Sequence, residues 1–147
     1  MGDCHDKALE LVARRPHFRR ELEQKLVRRG FSSDEVESTL EELARVGLLD
    51  DLAHAREMAA GSMARKSFGP RRMRAELMRR GVEEAVIDTV LAEVFSDPEE
   101  ELRRARNAAQ RRREGAAADL SRVGRFLDRK GFSKSVILRV LDELEPS

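Results

Sequence analysis

Apolar residues recur along the chain in one pattern that is written three times. Before each of three glycines, Gly30, Gly81 and Gly131, two apolar residues stand four positions apart. After each glycine, three apolar residues follow at i, i+4 and i+7, the spacing of one face of an α-helix. The matched positions are Leu22, Leu26, Val36, Leu40 and Leu43; Met73, Leu77, Ile87, Leu91 and Val94; and Val123, Leu127, Ile137, Leu141 and Leu144. Self-similarity with a period of about fifty residues predicts a helical repeat protein.

Each glycine has the surroundings of a helix that ends in a Schellman motif. In that motif a left-handed residue, usually Gly, follows the last helical turn, and the next residue packs on an apolar residue of that turn. At Gly30 these two apolar residues are Phe31 and Leu26. The same rule pairs Val82 with Leu77 and Phe132 with Leu127. We therefore expect RRGF, RRGV and RKGF to be three copies of one corner between two helices.

A further helix is expected to begin directly after each corner. Ser32 and Glu35 make a capping box, and Ser133 stands at the same N-cap position in the third copy. The second copy has Glu83 there, and its carboxylate favours a helix N-terminus through the helix dipole.

Each copy also has a helix before its corner. These first helices are predicted at about 6–15, 51–66 and 98–114, with a chain break at 67–70 and a loop at 114–119. The prediction is an all-α fold, an elongated array of three tandem three-helix repeats. The repeats are 1–49, 50–97 and 98–147.

Composition supports this fold and narrows the class of protein. Aromatic residues make up 4% of the chain and Trp and Tyr are absent, whereas strands are rich in aromatic and β-branched residues. No apolar run is long enough to cross a membrane, and the N-terminus has no apolar signal segment. The single Cys fits a reducing compartment. We expect a monomeric cytoplasmic protein.

Charge alternates along the chain, although the formal net charge is only +1. Seven cations stand against one anion in 64–81, seven against two in 14–29 and ten against three in 103–130. Between them, 34–51 holds seven anions and one cation, and 83–101 holds eight anions and no cation. Solvated faces laced with ion pairs are one explanation. A basic surface for a polyanion or an acidic protein is the other.

Cations at the two ends of the helices bear differently on these explanations. Those of the three corners stand in last helical turns, where they complement the helix dipole. They are Arg28, Arg29, Arg79, Arg80, Arg129 and Lys130. Four other arginines begin helices, where a cation is slightly unfavourable; these are Arg19, Arg20, Arg71 and Arg72. A local cost that recurs in two repeats suggests use by a partner.

Catalytic and metal-binding patterns are absent from the sequence. The three histidines are scattered, no HxxxH, HExxH or CxxC spacing occurs, and no GxxxxGK[ST] loop is present. Asp50 and Asp51 form one acidic pair, for which an N-cap and a first-turn acid of the next helix are the favoured explanation. We predict no catalytic residue, no metal site and no cofactor.

Long stretches of the chain resemble the RecX family of regulators of the bacterial recombinase RecA. The most specific are GLLDD at 47–51 and GPRRMRAEL at 69–77. RRELEQKLVRRGF at 19–31 and RFLDRKGFSKSVILRVLDEL at 125–144 extend the likeness over nearly the whole chain. Carried over by position, the motif residues are Gly47, Leu48, Asp50, Asp51, Ala55, Gly69, Pro70, Arg71, Arg72, Glu76 and Leu77.

The resemblance implies a binding protein and not an enzyme. RecX-like proteins consist of three tandem three-helix repeats and bind the RecA–DNA filament. They inhibit the recombinase, ATPase and coprotease activities of RecA, and so modulate homologous recombination, DNA repair and the SOS response. Some also bind DNA, so weak binding to single- or double-stranded DNA is expected. The family usually has aromatic residues where this chain has Leu48 and His54, and these aromatics either anchor a partner or belong to the core.

Ten arginines are the residues expected to dock on the filament or on DNA phosphate. Arg71, Arg72 and Arg74 come first. The others are Arg111, Arg112 and Arg113, then Arg28, Arg29, Arg79 and Arg80. Two alternative functions are a stand-alone DNA-binding protein without sequence specificity, which would bind DNA with a steep salt dependence, and an adaptor for another partner.

Overall fold

Nine α-helices and no strand occur in the described residues of the computed structural model, which are 2–114 and 119–145, without the side chains of 64–66, 113 and 114. The helices are α1 (Gly2–Arg14), α2 (Arg19–Arg28), α3 (Ser33–Arg45), α4 (Asp51–Lys66), α5 (Pro70–Arg79), α6 (Glu84–Val94), α7 (Pro98–Glu114), α8 (Leu120–Arg129) and α9 (Lys134–Leu144). The predicted bounds of α4 and α7 are confirmed, whereas α1 begins four residues earlier than the predicted residue 6. The predicted loop at 114–119 falls mainly on 115–118, which lie outside the described residues.

The helices pack in three groups of three, each around its own apolar core: unit 1 (α1–α3), unit 2 (α4–α6) and unit 3 (α7–α9). Leu22 and Leu26 lie at the centre of the first core, Met73 and Leu77 of the second, and Leu127 of the third. Every apolar position predicted from the repeat lies in one of these cores or packs against it. The all-α repeat fold is therefore confirmed, and the boundaries after residues 49 and 97 stay a prediction.

The three glycine corners have the predicted Schellman geometry. Gly30, Gly81 and Gly131 have φ values of 93°, 79° and 82°. The residue after each glycine donates its backbone N–H to the carbonyl of the predicted apolar partner, at 3.4 Å for Phe31 to Leu26. The equivalent bonds are 3.1 Å for Val82 to Leu77 and 3.2 Å for Phe132 to Leu127. A fourth corner of this kind, at Gly47 with φ 83°, ends α3.

The helices that follow the corners begin in three different ways. Ser32 and Glu35 form the predicted capping box on α3. Glu83 precedes α6 without a side-chain cap. Ser133 occupies the predicted N-cap position of α9, but its hydroxyl and backbone N–H both donate to the Glu101 carboxylate of α7, at 3.0 and 2.7 Å. Unit 3 thus ties its first helix to its corner with a charge-assisted pair of hydrogen bonds.

Unit 1 is joined to unit 2 through the start of α2. Phe18 is buried among the core residues of unit 2, and its ring lies 4.2 Å from the ring of His54 on α4. The backbone N–H of Arg19 donates to Asp51 Oδ1 at 2.8 Å. The side chain of Arg20 covers Gly81, where a Cβ would overlap it. The first turn of α2 therefore rests on the beginning of α4 and on the α5–α6 corner.

Unit 2 is joined to unit 3 through the start of α5. The backbone N–H of Gly69 donates to the carbonyl of Lys130 at 2.8 Å, and that of Arg71 donates to Gly131 at 2.9 Å. A Cβ on Gly69 or on Gly131 would overlap the backbone of the opposite unit. This junction repeats the first one, because the start of a second helix again rests on the glycine corner of the following unit.

Arg104 of α7 is buried at the junction of units 2 and 3 and contacts residues of both units. The residue is only 7% exposed, and its Nη1 donates to the carbonyl of Phe68 at 2.8 Å. Its guanidinium carbon lies 5.4 Å from the ring centre of Phe95 and 5.6 Å from that of Phe132. Burial lowers the pKa of this guanidinium, although the carboxylates of Glu100 and Glu101 oppose the change. Two aromatic faces and a carbonyl thus contact a buried cation at the junction, whereas its Nε and Nη2 atoms make no hydrogen bond with the described residues.

Two glycine variants separate backbone strain from the contact between units. Gly30→Ala is expected to lower the free energy of unfolding by about 1–2 kcal/mol, because it forces a left-handed residue to carry a Cβ in open space. Gly131→Ala carries the same strain and also meets the Arg72 backbone, so we expect a clearly larger loss. Urea denaturation monitored by circular dichroism measures both, and equal losses would contradict the tight junction.

Candidate interaction surface

Arg71 and Arg72, the first two arginines of α5, face the end of α8. Arg71 Nη1 lies 2.9 Å from Asp128 Oδ1 and donates to the carbonyl of Phe132 at 3.1 Å. Arg72 Nη1 donates to the carbonyl of Arg129 at 3.1 Å, and its guanidinium lies 4.3 Å from the Phe68 ring centre. Carbonyls at a helix C-terminus carry partial negative charge. Contacts within the chain therefore explain why cations stand at this helix start.

Arg74, Arg79 and Arg19 also have carboxylate partners within the chain. Arg74 Nη2 lies 2.6 Å from Asp88 Oδ1 and links α5 to α6. Arg79 pairs with Glu76 one turn earlier on α5. Arg19 Nη2 lies 2.9 Å from Glu37 Oε1. These arginines remain partly or fully exposed, so a partner could reach them only in competition with their present carboxylates.

Four exposed arginines from the predicted set have no ion pair with the residues that the structure describes. They are Arg28, Arg29, Arg80 and Arg111. Arg112 is exposed as well, and its guanidinium lies 5.5 Å from the Phe126 ring centre. The side chain of Arg113 lies outside the described residues. Of the ten predicted docking residues, these unpaired cations are the ones whose charge is open to a partner.

A basic cleft of about 320 Å³ lies at the junction of units 1 and 2. Its lining is Arg20, Glu21, Gln24, Met78, Arg79, Arg80 and Gly81. Glu21 is bound to Arg15 and Lys25, and although burial alone would raise its pKa, these cations and His17 hold it at about 2. Arg20 and Arg80 have no carboxylate partner among the described residues, so the cleft suits a carboxylate or phosphate group. Of these two, Arg20 was not among the docking residues predicted from the sequence.

The acidic pair Asp50 and Asp51 has a structural role. Asp50 caps α4, because its Oδ1 accepts from the backbone N–H of Ala53 at 3.1 Å. Asp51 accepts from Arg19 across the junction, and burial raises the pKa of its carboxyl group despite that hydrogen bond. The expected N-cap and first-turn acid are thus confirmed, and Asp51 in addition caps the helix of the preceding unit.

Gly69 and Pro70, two further predicted motif residues, begin α5 at the second junction. Gly69 is the N-cap, and it has no side chain with which to cap the helix. Pro70 is the first helical residue. Of the two positions where aromatic residues were expected, Leu48 is 50% exposed, whereas His54 packs on Phe18. His54 therefore belongs to the packing of a junction, and Leu48 lies at the surface after the fourth corner.

Two histidines lie at the junction of units 1 and 2 and are hard to protonate. His17 is 3% exposed, its Nδ1 lies 3.0 Å from the carbonyl of Arg15, and its Nε2 lies 2.9 Å from Lys25 Nζ. Burial is the main cause that lowers the pKa of His17. Burial likewise lowers the pKa of His54, whose Nδ1 has no hydrogen-bond partner. Both rings are therefore neutral in the folded protein at neutral pH.

The described part of the chain contains neither a metal-binding cluster nor a membrane-spanning helix. Its His, Cys, Asp and Glu side chains form no group of three that could hold a metal ion. None of its helices is both long enough and apolar enough to cross a membrane.

Three three-helix units joined end to corner, with unpaired arginines and a basic cleft on the surface, define a helical repeat protein with a surface suited to binding. Comparison with known sequences identifies the family. A profile described as the first three-helix domain of RecX matches residues 4–43, and one for the second matches residues 50–91. The chain belongs to the RecX family.

Curated relatives agree with this assignment, and a solved structure shares the fold. A "Regulatory protein RecX" from Halorhodospira halophila is 42% identical over 87% of this chain and 80% of its own length. One from Trichlorobacter lovleyi is 36% identical over 97% of this chain and 96% of its own. The crystal structure of RecX from Lactobacillus salivarius has the same fold, with a TM-score of 0.88 over 97% of this chain and 95% of that chain at 19% identity.

The junction histidines predict a loss of stability in mild acid. The unfolded chain takes up protons near its ordinary histidine pKa of about 6.5, whereas the folded chain, with lowered pKa values at His17 and His54, does so only at lower pH. The free energy of unfolding should therefore be highest above that value and fall as the pH drops through it, by at most about 1.4 kcal/mol per pH unit for each histidine. Urea denaturation between pH 7.5 and 5 measures this slope.

Replacing the histidines tests which groups cause the slope. His54→Phe keeps a ring against Phe18 and should reduce the slope, and the His17→Gln/His54→Phe double variant should reduce it further. A double variant with the full slope of the parent protein would assign the pH dependence to other groups.

Proposed function

We propose that this chain is a cytoplasmic, monomeric regulator that binds the RecA–DNA filament and inhibits the recombinase, ATPase and coprotease activities of RecA. Through this inhibition it modulates DNA repair and the SOS response. The observation that carries the proposal is the family match, which extends over 97% of the chain to relatives named regulatory protein RecX. The surface supports binding as the mode of action, because four exposed arginines of the predicted set make no ion pair with the described residues.

The proposed contact with the filament is electrostatic and uses the unpaired corner cations. Arg28 and Arg29 end α2, and Arg80 follows α5 beside the basic cleft. Arg111 and Arg112 extend the set onto α7. Arg71 and Arg72 contribute mainly by holding units 2 and 3 in register, because their guanidinium groups already contact groups of unit 3. Arg74 already pairs with Asp88 within unit 2. Exposed charges of this kind raise association rates and confer salt dependence.

The RecA ATPase on single-stranded DNA tests the proposed function directly. Titration of this protein at substoichiometric levels should lower the steady-state rate of ATP hydrolysis, because one bound regulator affects several subunits of a filament. A rate that stays constant up to one molecule per RecA subunit would reject the proposal and leave an adaptor function for another partner.

A charge variant tests the corner cations. Arg28→Ala/Arg29→Ala/Arg80→Ala should raise the concentration for half-inhibition by roughly tenfold, because it removes three cations that have no internal partner. Its matched control is Arg45→Ala/Arg56→Ala/Arg106→Ala, which removes the same charge from exposed arginines that pair with Glu42, Glu93 and Glu143.

Two results would contradict a role of the corner. Equal weakening by both triple variants would mean that only net charge matters, and full inhibition by the corner variant would remove the corner from the contact.

Fluorescence anisotropy with an oligonucleotide in the absence of RecA examines the alternative function. Tight, steeply salt-dependent DNA affinity together with an unchanged RecA ATPase would favour a stand-alone DNA-binding protein.

A further inference from the structure

An apolar groove of about 390 Å³ runs between α8 and α9 on the surface of unit 3. Leu120, Ile137, Leu138 and Leu141 line it, and Gly124 lies on its α8 side. Leu138 is 67% exposed, which is more than any other large apolar residue among those described. An exposed Leu beside an open groove is a feature of protein-binding surfaces when charged residues flank it.

The equivalent surface of unit 2 is closed. Moving back along the repeat from Gly131 to Gly81 places Arg74 at the position of Gly124 and Asp88 at that of Leu138. Arg74 Nη2 and Asp88 Oδ1 lie 2.6 Å apart and bridge α5 to α6. Unit 1 has Glu37 at the position of Leu138, and Glu37 pairs with Arg19. Only unit 3 replaces charged side chains at both of the positions that form the ion pair in unit 2.

Neither replacement is required by the fold of unit 3. Gly124 lies inside α8, where Gly is less favourable than Ala by about 1 kcal/mol, and its backbone is not in the left-handed region. A Cβ there would meet the side chain of Leu141, at 3.2 Å from Cδ1 and 4.0 Å from Cδ2, so that this flexible side chain would have to move by a few tenths of an ångström. The Leu138 side chain is mostly in solvent, so it adds little to the core. Gly124 and Leu138 thus keep an apolar groove open, at a cost to the stability of the free protein.

The rim of the groove is positively charged. Arg125 donates to the hydroxyl of Ser121 at 2.9 Å, and neither it nor Lys134 has a carboxylate partner among the described residues. The one acid of the rim, Asp128, lies 2.9 Å from Arg71 Nη1 at the junction of units 2 and 3. An occupant that complements this rim carries negative charge around an apolar anchor.

We infer that the α8–α9 groove is a second docking site, which takes an acidic segment of a protein partner and holds one of its apolar side chains between Gly124 and Leu138. Carboxylates of that segment pair with Arg125 and Lys134. The inference rests on the proposed function, so the partner surface belongs to a RecA subunit of the filament. Binding through this groove adds an apolar anchor to the electrostatic contact of the corner cations.

The test copies the closed surface of unit 2 into unit 3. Gly124→Arg/Leu138→Asp builds the ion pair of Arg74 and Asp88 across the groove and leaves the net charge unchanged. Inhibition of RecA ATPase on single-stranded DNA by this variant should need roughly tenfold more protein than inhibition by the parent chain. Circular dichroism and urea denaturation establish that the variant is folded.

Single variants provide the control. Leu138→Asp should also weaken inhibition, whereas Val46→Asp, which places the same charge at another exposed apolar position of similar setting, should not. Equal inhibition by the parent chain and by Gly124→Arg/Leu138→Asp would overturn the groove and leave the proposed function standing. Equal weakening by Val46→Asp and Leu138→Asp would overturn it as well, because the effect would then be one of net charge.

One further outcome identifies a different occupant, and another removes the assigned one. A parent chain that is a dimer by light scattering, and that Gly124→Arg/Leu138→Asp converts to a monomer, would assign the groove to a second copy and overturn the inference. If the parent chain does not inhibit RecA ATPase at any concentration, the proposed function is rejected, and so is the RecA subunit as the partner of the groove.

Discussion

The arrangement of the units depends on one repeated contact, in which the start of a helix rests on the glycine corner of the following unit. The first turn of a helix has backbone N–H groups without partners, and the end of a helix has free carbonyls. At the junction of units 2 and 3 these donors and acceptors pair with each other, because the backbone N–H groups of Gly69 and Arg71 donate to the carbonyls of Lys130 and Gly131. The opposite partial charges of the two helix ends also attract each other. The corner must be glycine on both counts, since its φ is positive and its Cα touches the neighbouring backbone.

This contact explains why arginines stand at the start of α2 and α5. The sequence marks them as unusual, because a cation at a helix N-terminus is locally unfavourable. That observation is correct, but the local rule does not show where the compensation comes from. For Arg71 and Arg72 it comes from carbonyls and a carboxylate in unit 3, which lie far away along the chain. Contact with a partner protein and contact with a neighbouring unit produce the same pattern in the sequence, and only the three-dimensional structure distinguishes them.

Features set by local chemistry could be predicted, and features set between units could not. The apolar spacing gives the helices, the glycines give three corners, and Ser32 with Glu35 gives a capping box, since each depends on residues within one or two helical turns. The fourth corner carried the same local signal, a glycine and an apolar residue after a helix, at Gly47 and Leu48.

Contacts between elements that are distant along the chain gave no such signal. The hydrogen bonds of Ser133 to Glu101 and the burial of Arg104 join residues more than thirty positions apart. The candidate cleft is of this kind as well, because Arg20 and Arg80 approach each other only through the first junction.

The way in which each second helix is capped explains why unit 3 differs from the other two. Phe18 and Gly69 precede α2 and α5 and provide no side-chain cap, because Asp51 and the Gly131 corner of the following units accept from those helices instead. In the described chain no further corner follows unit 3, and α8 is capped by its own Asp119, which accepts from Ser121 and Arg122. Ser121 also stands where unit 2 has Arg71, so α8 lacks the cation that contacts the following corner in unit 2. The start of α8 thus carries a local cap in place of the contact between units, and the open groove beside Gly124 lies on the same helix.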